Sequence, residues 1–404
     1  MLPAFRLRIT TIRAKFSSLF SVNHPINSIS SLFFIYMIGW GIVDPLLPVY
    51  VSRMFGSYSS AGIVLSILQF FSLFWAILLG PILDRVQKKN IMLVMFFLYL
   101  PVSPILLSLQ TLTQFIYFRF YHSFISTTLW TTSEAYVREH SPKHKETQAA
   151  GLFDFSVGLG QVVGGILTVL LAAYLGFNIM YAVTLFAFLS ILLSFNIPDG
   201  FHGKSLTGIR RNLDYAHIKK EFRDGFLNKK FRSLIIYAFP YFIAVALLPM
   251  TLPLFAQKIG NSLAAVGAVA ALFYLPMTFE SYFSRINDRK LMVALGLGSG
   301  TLIFLALFLV QNVALMFILV LMLGVSLATI TPNLAGEFTE CMPRKEMGEL
   351  SALIYSIKSL AAAIGPLAAG IIADYAGLNY VFLLGGIIFC SLFALRRTLW
   401  VCPA

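Results

Sequence analysis

Long apolar runs separated by short polar connections are the dominant pattern of the chain. Each run holds about 20 residues or more, enough for an α-helix to cross the roughly 30 Å hydrocarbon core of a membrane. Because most connections are short, neighbouring helices are expected to be antiparallel. The pattern predicts an all-α membrane protein with twelve transmembrane helices, numbered here as spans 1 to 12: 29–52, 58–83, 90–110, 112–137, 147–174, 178–197, 232–257, 261–284, 290–310, 313–337, 348–373 and 378–396.

The composition supports a protein made mostly of such segments. Of the 404 residues, 58% are hydrophobic and 12% are charged, whereas soluble proteins are about 45–50% apolar and about 25% charged. These values exclude a disordered chain, a disulfide scaffold and an ordinary soluble enzyme. Neither the three cysteines nor the six histidines have metal-ligand spacing. No cofactor and no metal ion are therefore predicted.

Positive charge is concentrated on one side of the predicted membrane protein. Alternate connections, together with both tails, hold 26 of the 30 Lys and Arg residues, and the other connections hold only Arg53 and Lys258. Such an excess marks the cytoplasmic side, so we expect both termini to be cytoplasmic, in a plasma or inner membrane. We name this side the basic face and the other side the opposite face.

The net charge of +13 is explained by this asymmetry, and no nucleic-acid partner is predicted. The connection 198–231 is the longest and is rich in Lys and Arg. We expect it to lie in solvent or on the membrane surface, where it would contact anionic membrane lipid.

The two halves of the chain resemble each other at an offset near 200 residues. Residues 139–143 align with 340–344, and Gly176-Phe177-Asn178 aligns with Gly377-Leu378-Asn379. Chance similarity between apolar stretches is the alternative, but polar, Gly and Pro positions carry the match. We interpret the chain as two parallel six-helix repeats, an architecture known among transporters. The predicted organisation is a tail, a bundle, a linker and a second bundle: 1–28, 29–197, 198–231 and 232–404.

The connection between spans 2 and 3 carries a specific motif. It reads Gly80-Pro81-Ile82-Leu83-Asp84-Arg85-Val86-Gln87-Lys88-Lys89. A glycine, a three-residue gap, Asp-Arg and two basic residues resemble the signature loop of the major facilitator superfamily. The resemblance implies the major facilitator fold, transport by alternating access, and a conformational latch against span 11. The latch residues would be Gly80, Asp84, Arg85, Lys88 and Lys89, with Arg285 surviving in a degraded second copy.

Span 5 carries a stripe of three glycines, and small residues let helices approach closely. The stripe resembles the glycine-rich fifth helix of drug:proton antiporters in that family, although Gln161 occupies the position of their proline. The second half has this proline, in Gly365-Pro366. Helix packing alone explains the glycines equally well. The residues of the stripe are Gly160, Gly164 and Gly165.

Two charged residues lie inside predicted spans of the first half. Asp44 is in span 1 and Arg119 is in span 4, and charges within a span are costly and indicate a functional interior site. Asp44 lies roughly 22 Å above the start of span 1 and Arg119 roughly 10 Å below the outer start of span 4, so their heights nearly coincide in a core of about 30 Å. The family resemblance places spans 1, 4, 7 and 10 around a central cavity.

We therefore hypothesise that Asp44 and Arg119 share one polar site. A carboxylate that exchanges its Arg partner for a proton as the cavity opens would couple transport to proton flow. A static ion pair, or an Arg that faces lipid headgroups, is the alternative. Asp154 in span 5 is a second candidate proton carrier, for which packing or gating is the alternative.

The presumed cavity spans are rich in aromatic residues and contain few polar anchors. Trp40, Tyr241 and Asn333 are the candidates for its lining. Such a pocket suits a hydrophobic or amphiphilic solute, including a cationic one. Aromatic residues are also spread over the whole chain, so contacts with lipid or other helices are the competing explanation.

These observations predict a secondary transporter rather than an enzyme. No phosphate-binding loop of an ATPase is visible, so an ion gradient is the expected energy source. We predict proton-coupled export of small amphiphilic solutes by a monomer. One alternative is an uptake symporter or uniporter for a sugar, organic acid or peptide. A non-transporting membrane sensor or lipid enzyme is a further alternative.

Overall fold

The computed structural model describes residues 25–83, 86–141, 146–198, 229–280, 288–340 and 347–399, and their regular structure is helical. The prediction of an all-α fold is confirmed. Most of the tail and of the linker 198–231 lies outside these ranges. The α-helices are Pro25–Phe55, Tyr58–Leu83, Lys88–Tyr99, Val102–Ser108, Leu112–His140, Glu146–Leu175, Ala182–Ser194, Lys229–Gly260, Leu263–Met277, Arg289–Leu309, Val313–Glu340, Met347–Tyr375 and Leu378–Leu399.

Within the described residues, these helices make twelve passes. Nine segments are long and apolar enough to cross a membrane by length and composition. One of them, Ala149–Ser194, contains both span 5 and span 6, which meet at the 3₁₀ turn Gly176–Tyr181. Two passes fall outside this set, because span 4 (Leu112–His140) is rich in polar residues and span 8 (Leu263–Met277) is short.

Span 3 differs from the single helix that the sequence predicts over 90–110. It consists of Lys88–Tyr99 and Val102–Ser108, with Leu100 and Pro101 between them. Proline lacks a backbone N–H and clashes with the preceding turn, so it ends the first helix although the apolar run continues. Span 6 also begins later than predicted, at Ala182, because the 3₁₀ turn occupies its first residues.

Tight turns on the opposite face occur in pairs that match the two halves. Gly176 and Gly377 follow the fifth span of their halves, with φ of 55° and 106°. Gly56 and Asn261 follow the first span of their halves, with φ of 65° and 46°. Glycine adopts this left-handed region without steric cost, and asparagine does so more readily than most residues. Two parallel repeats predict such a match, because equivalent positions then have the same backbone conformation.

The most buried spans lie at the centre of the molecule. In the most apolar 18-residue segment of span 1, 78% of the residues are buried, against 33% in that of span 2. Spans 7 and 10 have the next largest buried fractions among the nine apolar segments, 56% and 50%. Between the halves, span 2 packs against span 11 and span 5 packs against span 8. Spans 1, 7 and 10 therefore occupy the interior positions that the family resemblance assigns to cavity helices.

Glycines permit equivalent close contacts inside each half. A methyl group on Gly160 would lie 2.6 Å from the carbonyl oxygen of Phe34, and one on Gly164 would collide with that of Ile38. In the second half, a methyl group on Gly365 would lie 2.5 Å from Cβ of Ala246. The fifth span of each half is thus held against the first span of the same half, at distances that only glycine allows.

Other small residues form the contact between the halves. A methyl group on Gly165 would lie 2.8 Å from the carbonyl oxygen of Gly267 in span 8, and one on Gly62 in span 2 would collide with the carbonyl oxygen of Pro366 in span 11. A further close approach joins Gly370 to the carbonyl oxygen of Tyr58. Both interfaces between the halves are therefore backbone-to-backbone packing surfaces.

Candidate functional site

Asp44 lies where the two halves meet. The hydroxyl of Tyr274 in span 8 donates a hydrogen bond to Asp44 Oδ2 over 3.3 Å, so the contact joins span 1 to the other half. Next to the half-buried carboxylate is a cavity of about 20 Å³, lined by spans 1, 7 and 8 with Leu252 and Phe273 among its residues. The sequence hypothesis named Asp44 but not Tyr274.

Arg119 is buried in span 4, with 2% of its surface exposed. The helix begins at a capping box, in which Thr111 and Gln114 satisfy each other's backbone N–H groups, and this fixes the register of span 4. The guanidinium Nη1 donates to His122 Nδ1 over 3.1 Å, and Nε has no hydrogen-bond partner among the described residues.

Asp44 and Arg119 interact electrostatically. They do not form a direct ion pair within the part of the chain that the structure describes. The two side chains of the predicted shared site are therefore close, but they have different hydrogen-bond partners: Asp44 has Tyr274, and Arg119 has His122.

His122 connects Arg119 to a group of aromatic side chains. Its Nε2 lies 3.3 Å from the hydroxyl of Tyr99, which in turn is hydrogen-bonded to Tyr36. The ring of Trp40 lies 5.0 Å from the imidazole, and Trp40, Arg119 and His122 line a cavity of about 10 Å³. The sequence places Trp40 in the site but not His122. The available signal was the spacing of three residues from Arg119, which puts both side chains on one helix face.

Tyr241 and Asn333 lie in the second half, and both are buried. The hydroxyl of Tyr241 is 2.7 Å from that of Thr331, so spans 7 and 10 are joined. The amide of Asn333 donates to the carbonyl oxygen of Thr329 over 2.7 Å. In the described residues no hydrogen bond links either side chain to Asp44 or Arg119, so they form a separate polar region.

Four charged side chains from both halves interact nearer the basic face. Asp154 in span 5 interacts electrostatically with Glu134, Glu280 and Lys358, which belong to spans 4, 8 and 11. Asp154, Glu134 and Lys358 are exposed, and Glu280 is partly exposed. We name these four residues the charged cluster. Because exposed charges from four spans of both halves lie close enough to interact, we infer that they line a cleft between the halves.

The charged cluster lies nearer the basic face than Asp44 does. Asp154 and Lys358 lie about 12 Å and about 16 Å along their helices from the ends at the basic face, whereas Asp44 lies about 28 Å along span 1. The ammonium of Lys358 also lies 5.4 Å from the centre of the Phe242 ring in span 7. The cleft that we infer therefore lies on the basic-face side of Asp44, and Phe242 borders it.

The opposite face is closed. Asp374 at the end of span 11 accepts hydrogen bonds from Ser57, Tyr58 and Ser59 at the start of span 2. The backbone contact of Gly62 with Pro366 lies one turn deeper. Because the halves are joined here and carry exposed charges nearer the basic face, we interpret the structure as one end state of an alternating-access cycle, open toward the basic face.

Only part of the predicted latch is described. Gly80 lies in the helix Tyr58–Leu83, whereas Asp84, Arg85 and Arg285 lie outside the described residues. Lys88 is buried, and its ammonium donates to Glu139 Oε1 over 2.5 Å. This contact joins the start of span 3 to the end of span 4 within the first half. Lys89 is half-buried.

A family model named Major Facilitator Superfamily matches residues 29–285 and 279–402. The chain belongs to the major facilitator superfamily. It is therefore a multi-pass membrane protein and a secondary transporter of small-molecule solutes, not an enzyme. No curated protein matches the chain in sequence.

Solved structures of other major facilitator proteins share the fold. The human organic anion transporter MFSD10 (TETRAN) is 17% identical, with a TM-score of 0.67 over 92% of this chain and 98% of that one. A point mutant of the nucleoside transporter NupG is 13% identical, with a TM-score of 0.76 over 93% and 100%. A bacterial homolog of the human lysosomal transporter Spinster, inward-facing and unoccupied, is 13% identical, with a TM-score of 0.66 over 93% and 94%. At these identities the likeness concerns the fold alone.

The match confirms the family that the motif between spans 2 and 3 indicates. The roles of individual residues, the coupling ion and the solute of this major facilitator protein stay predictions. The geometry brings Asp44, Arg119 and Trp40 into one region and Asp154 into the charged cluster.

Proposed function

We propose that this major facilitator protein exports small amphiphilic cations in exchange for protons, as drug:proton antiporters do. The observation that carries the proposal is the position of Asp44, between Tyr274 of the other half and the buried charge of Arg119. The basic face is cytoplasmic in this proposal, and both termini lie there. The bundles 29–197 and 232–404 move as a monomer in the cell membrane, and the linker 198–231 contacts anionic lipid.

Coupling follows from what Asp44 gains and loses as the halves move. In the state described, its carboxyl group accepts a hydrogen bond from Tyr274 across the boundary. When the opposite face opens, span 8 moves away from span 1 and that donor is lost. The carboxylate then needs either Arg119 or a proton, because an unpaired buried charge is costly. A group that alternates between these two partners links the conformation to a proton.

The charge of the cleft supports a cationic solute. The charged cluster has three carboxylates and one ammonium group, and Phe242 is adjacent to the ammonium. A solute with a positive charge and an apolar body would be attracted to the carboxylates and would stack on Phe242. An anionic solute would meet a repulsive field there. The structural neighbours include an organic anion transporter and a nucleoside transporter, so a shared fold does not select a solute.

The proposal is tested with purified protein in liposomes and a fluorescent organic cation. An imposed proton gradient should drive the dye uphill. Asp44→Asn should abolish uphill transport and leave downhill exchange. Asp288→Asn is the matched control, since this residue caps span 9 outside the site, and asparagine caps equally well. Unchanged uphill transport by Asp44→Asn would refute coupling through Asp44.

The direction of transport separates the proposal from its main alternative. An uptake symporter or uniporter for a sugar, organic acid or peptide would accumulate a radiolabelled nutrient in cells. An exporter would instead lower dye retention, and only while the proton gradient stands. A thermal-shift screen of solutes narrows the substrate, because a solute that binds the folded state stabilises it.

A further inference from the structure

Arg119 is incompletely satisfied in this state. Its surface is 2% exposed, its hydrogen bond goes to an imidazole, and its Nε has no partner among the described residues. A buried guanidinium without a carboxylate contact is unfavourable. Asp44, the nearby carboxylate, is instead hydrogen-bonded to Tyr274 of the other half. The contact between the halves thus keeps Asp44 and Arg119 on separate hydrogen-bond partners.

The Arg119–His122 hydrogen bond fixes the protonation of the imidazole. A guanidinium is always a donor, so His122 Nδ1 must accept and cannot carry a proton while this bond exists. The proton of the neutral ring is then on Nε2, which faces the hydroxyl of Tyr99. His122 can take a second proton only when Arg119 has moved away.

We propose that Arg119 and one proton exchange partners between His122 and Asp44 as the opposite face closes and opens. With that face closed, Arg119 holds neutral His122, and Asp44 is protonated and bonded to Tyr274. With that face open, Arg119 pairs with ionised Asp44, and His122 holds the proton on Nδ1. The three groups carry a total charge of +1 in both arrangements. The net charge of the buried site is therefore the same in both states.

This inference deepens the proposed function and rests on it, since it names the group that receives the proton before Asp44. The proton binds to His122 when the opposite face is open and passes to Asp44 as that face closes. The other titratable side chains that face the pair are phenols: Tyr36 and Tyr99 next to His122, and Tyr274 next to Asp44. These phenols stay neutral, so the exchange involves His122, Asp44 and Arg119 alone.

The test uses the pH dependence of opening and needs no solute. Leu252 is 3% exposed and lines the cavity beside Asp44. In purified protein whose native cysteines are replaced by serine, labelling of Leu252→Cys by a maleimide reports opening of the opposite face. Tyr375→Cys, at a position that is 90% exposed, gives the reference rate at each pH and removes the effect of thiol ionisation.

The two single variants should respond to pH in opposite directions. In His122→Gln, the closed state holds a proton on Asp44 and the open state holds none, so opening increases by up to about tenfold per pH unit as the pH rises. In Asp44→Asn, only the open state holds a proton, so opening decreases by up to about tenfold per pH unit. The parent protein, which carries Leu252→Cys without native cysteines, holds one proton in both states. Its opening should therefore depend on pH much less than that of either variant.

Glutamine at position 122 keeps an acceptor for Arg119 and a donor for Tyr99, so a change in packing alone would not produce these slopes. Equal pH profiles of His122→Gln and the parent, or slopes of the same sign in both variants, would overturn the inference. If His122→Gln does not fold, a labelling rate of Asp44→Asn that does not change with pH would also overturn the inference. Failure of the proposed function is seen separately, as a lack of proton-driven dye transport by the parent protein.

Discussion

The carboxylate of Asp374 accepts a hydrogen bond from the hydroxyl of Ser57 over 2.8 Å, although 317 positions separate the two residues. The same carboxylate accepts from the backbone N–H groups of Tyr58 and Ser59, also over 2.8 Å. It therefore caps the start of span 2 from the other half, where the helix dipole favours a negative charge. Because each half supplies one side, the cap exists only while the opposite face is closed.

Replacing Asp374 by alanine should favour opening of the opposite face. Loss of a helix cap costs about 1 kcal/mol, and here the cost falls on the closed state alone. We expect labelling of Leu252→Cys to rise about fivefold. Asp288→Ala is the control, because Asp288 caps span 9 by the same kind of bond, to Leu291 N over 2.9 Å, within one half. The control should lower the melting temperature without faster labelling; equal labelling of both variants would contradict a gating role for Asp374.

The hydroxyl of Tyr274 should have a similar effect through a different contact. Tyr274→Phe keeps the ring but removes the hydrogen bond to Asp44 across the boundary between the halves. A net loss of about 1 kcal/mol from the closed state should again increase labelling of Leu252→Cys. Tyr241→Phe removes a bond to Thr331 that lies inside the second half, so it should lower the melting temperature only. A larger labelling increase for Tyr241→Phe would contradict this assignment.

The sequence could predict the twelve membrane spans but not which residues contact each other between the halves. Apolar runs and basic connections identify the spans because both follow from the membrane environment. The break at Pro101 was missed because the run stays apolar across it. Asp44 and Tyr274 are 230 positions apart, and their contact depends on how span 8 packs against span 5 at Gly165. That register is set by tertiary packing, which no local pattern records.

Glycine at position 62 should be required for closure of the opposite face. A methyl group there would collide with the carbonyl oxygen of Pro366 in the other half, and backbone cannot move aside without separating spans 2 and 11. Overpacking costs about 1–3 kcal/mol, so Gly62→Ala should raise labelling of Leu252→Cys at least fivefold. Gly298→Ala is the control, since the nearest atom to a methyl group there belongs to the Phe393 side chain, at an ordinary contact distance of 3.4 Å. Unaltered labelling of Gly62→Ala would mean that the two spans separate at no cost.

The ion pair of Lys88 with Glu139 should contribute more to stability than the ion pair of Arg138 with Glu134 in span 4. The Lys88 side chain is 6% exposed and that of Glu139 is 39% exposed, so Glu139→Gln leaves a buried ammonium without its carboxylate. We expect a loss of about 1–3 kcal/mol, seen as a lower melting temperature in detergent. The pair of Arg138 with Glu134 is 3.7 Å long and its side chains are 62% and 50% exposed, so Arg138→Gln should change stability by less than about 1 kcal/mol. Replacing Lys88 by methionine as well should recover part of the loss in Glu139→Gln, because the unpaired charge is then gone; an equal or larger loss in the double variant would show that Glu139 acts through another partner.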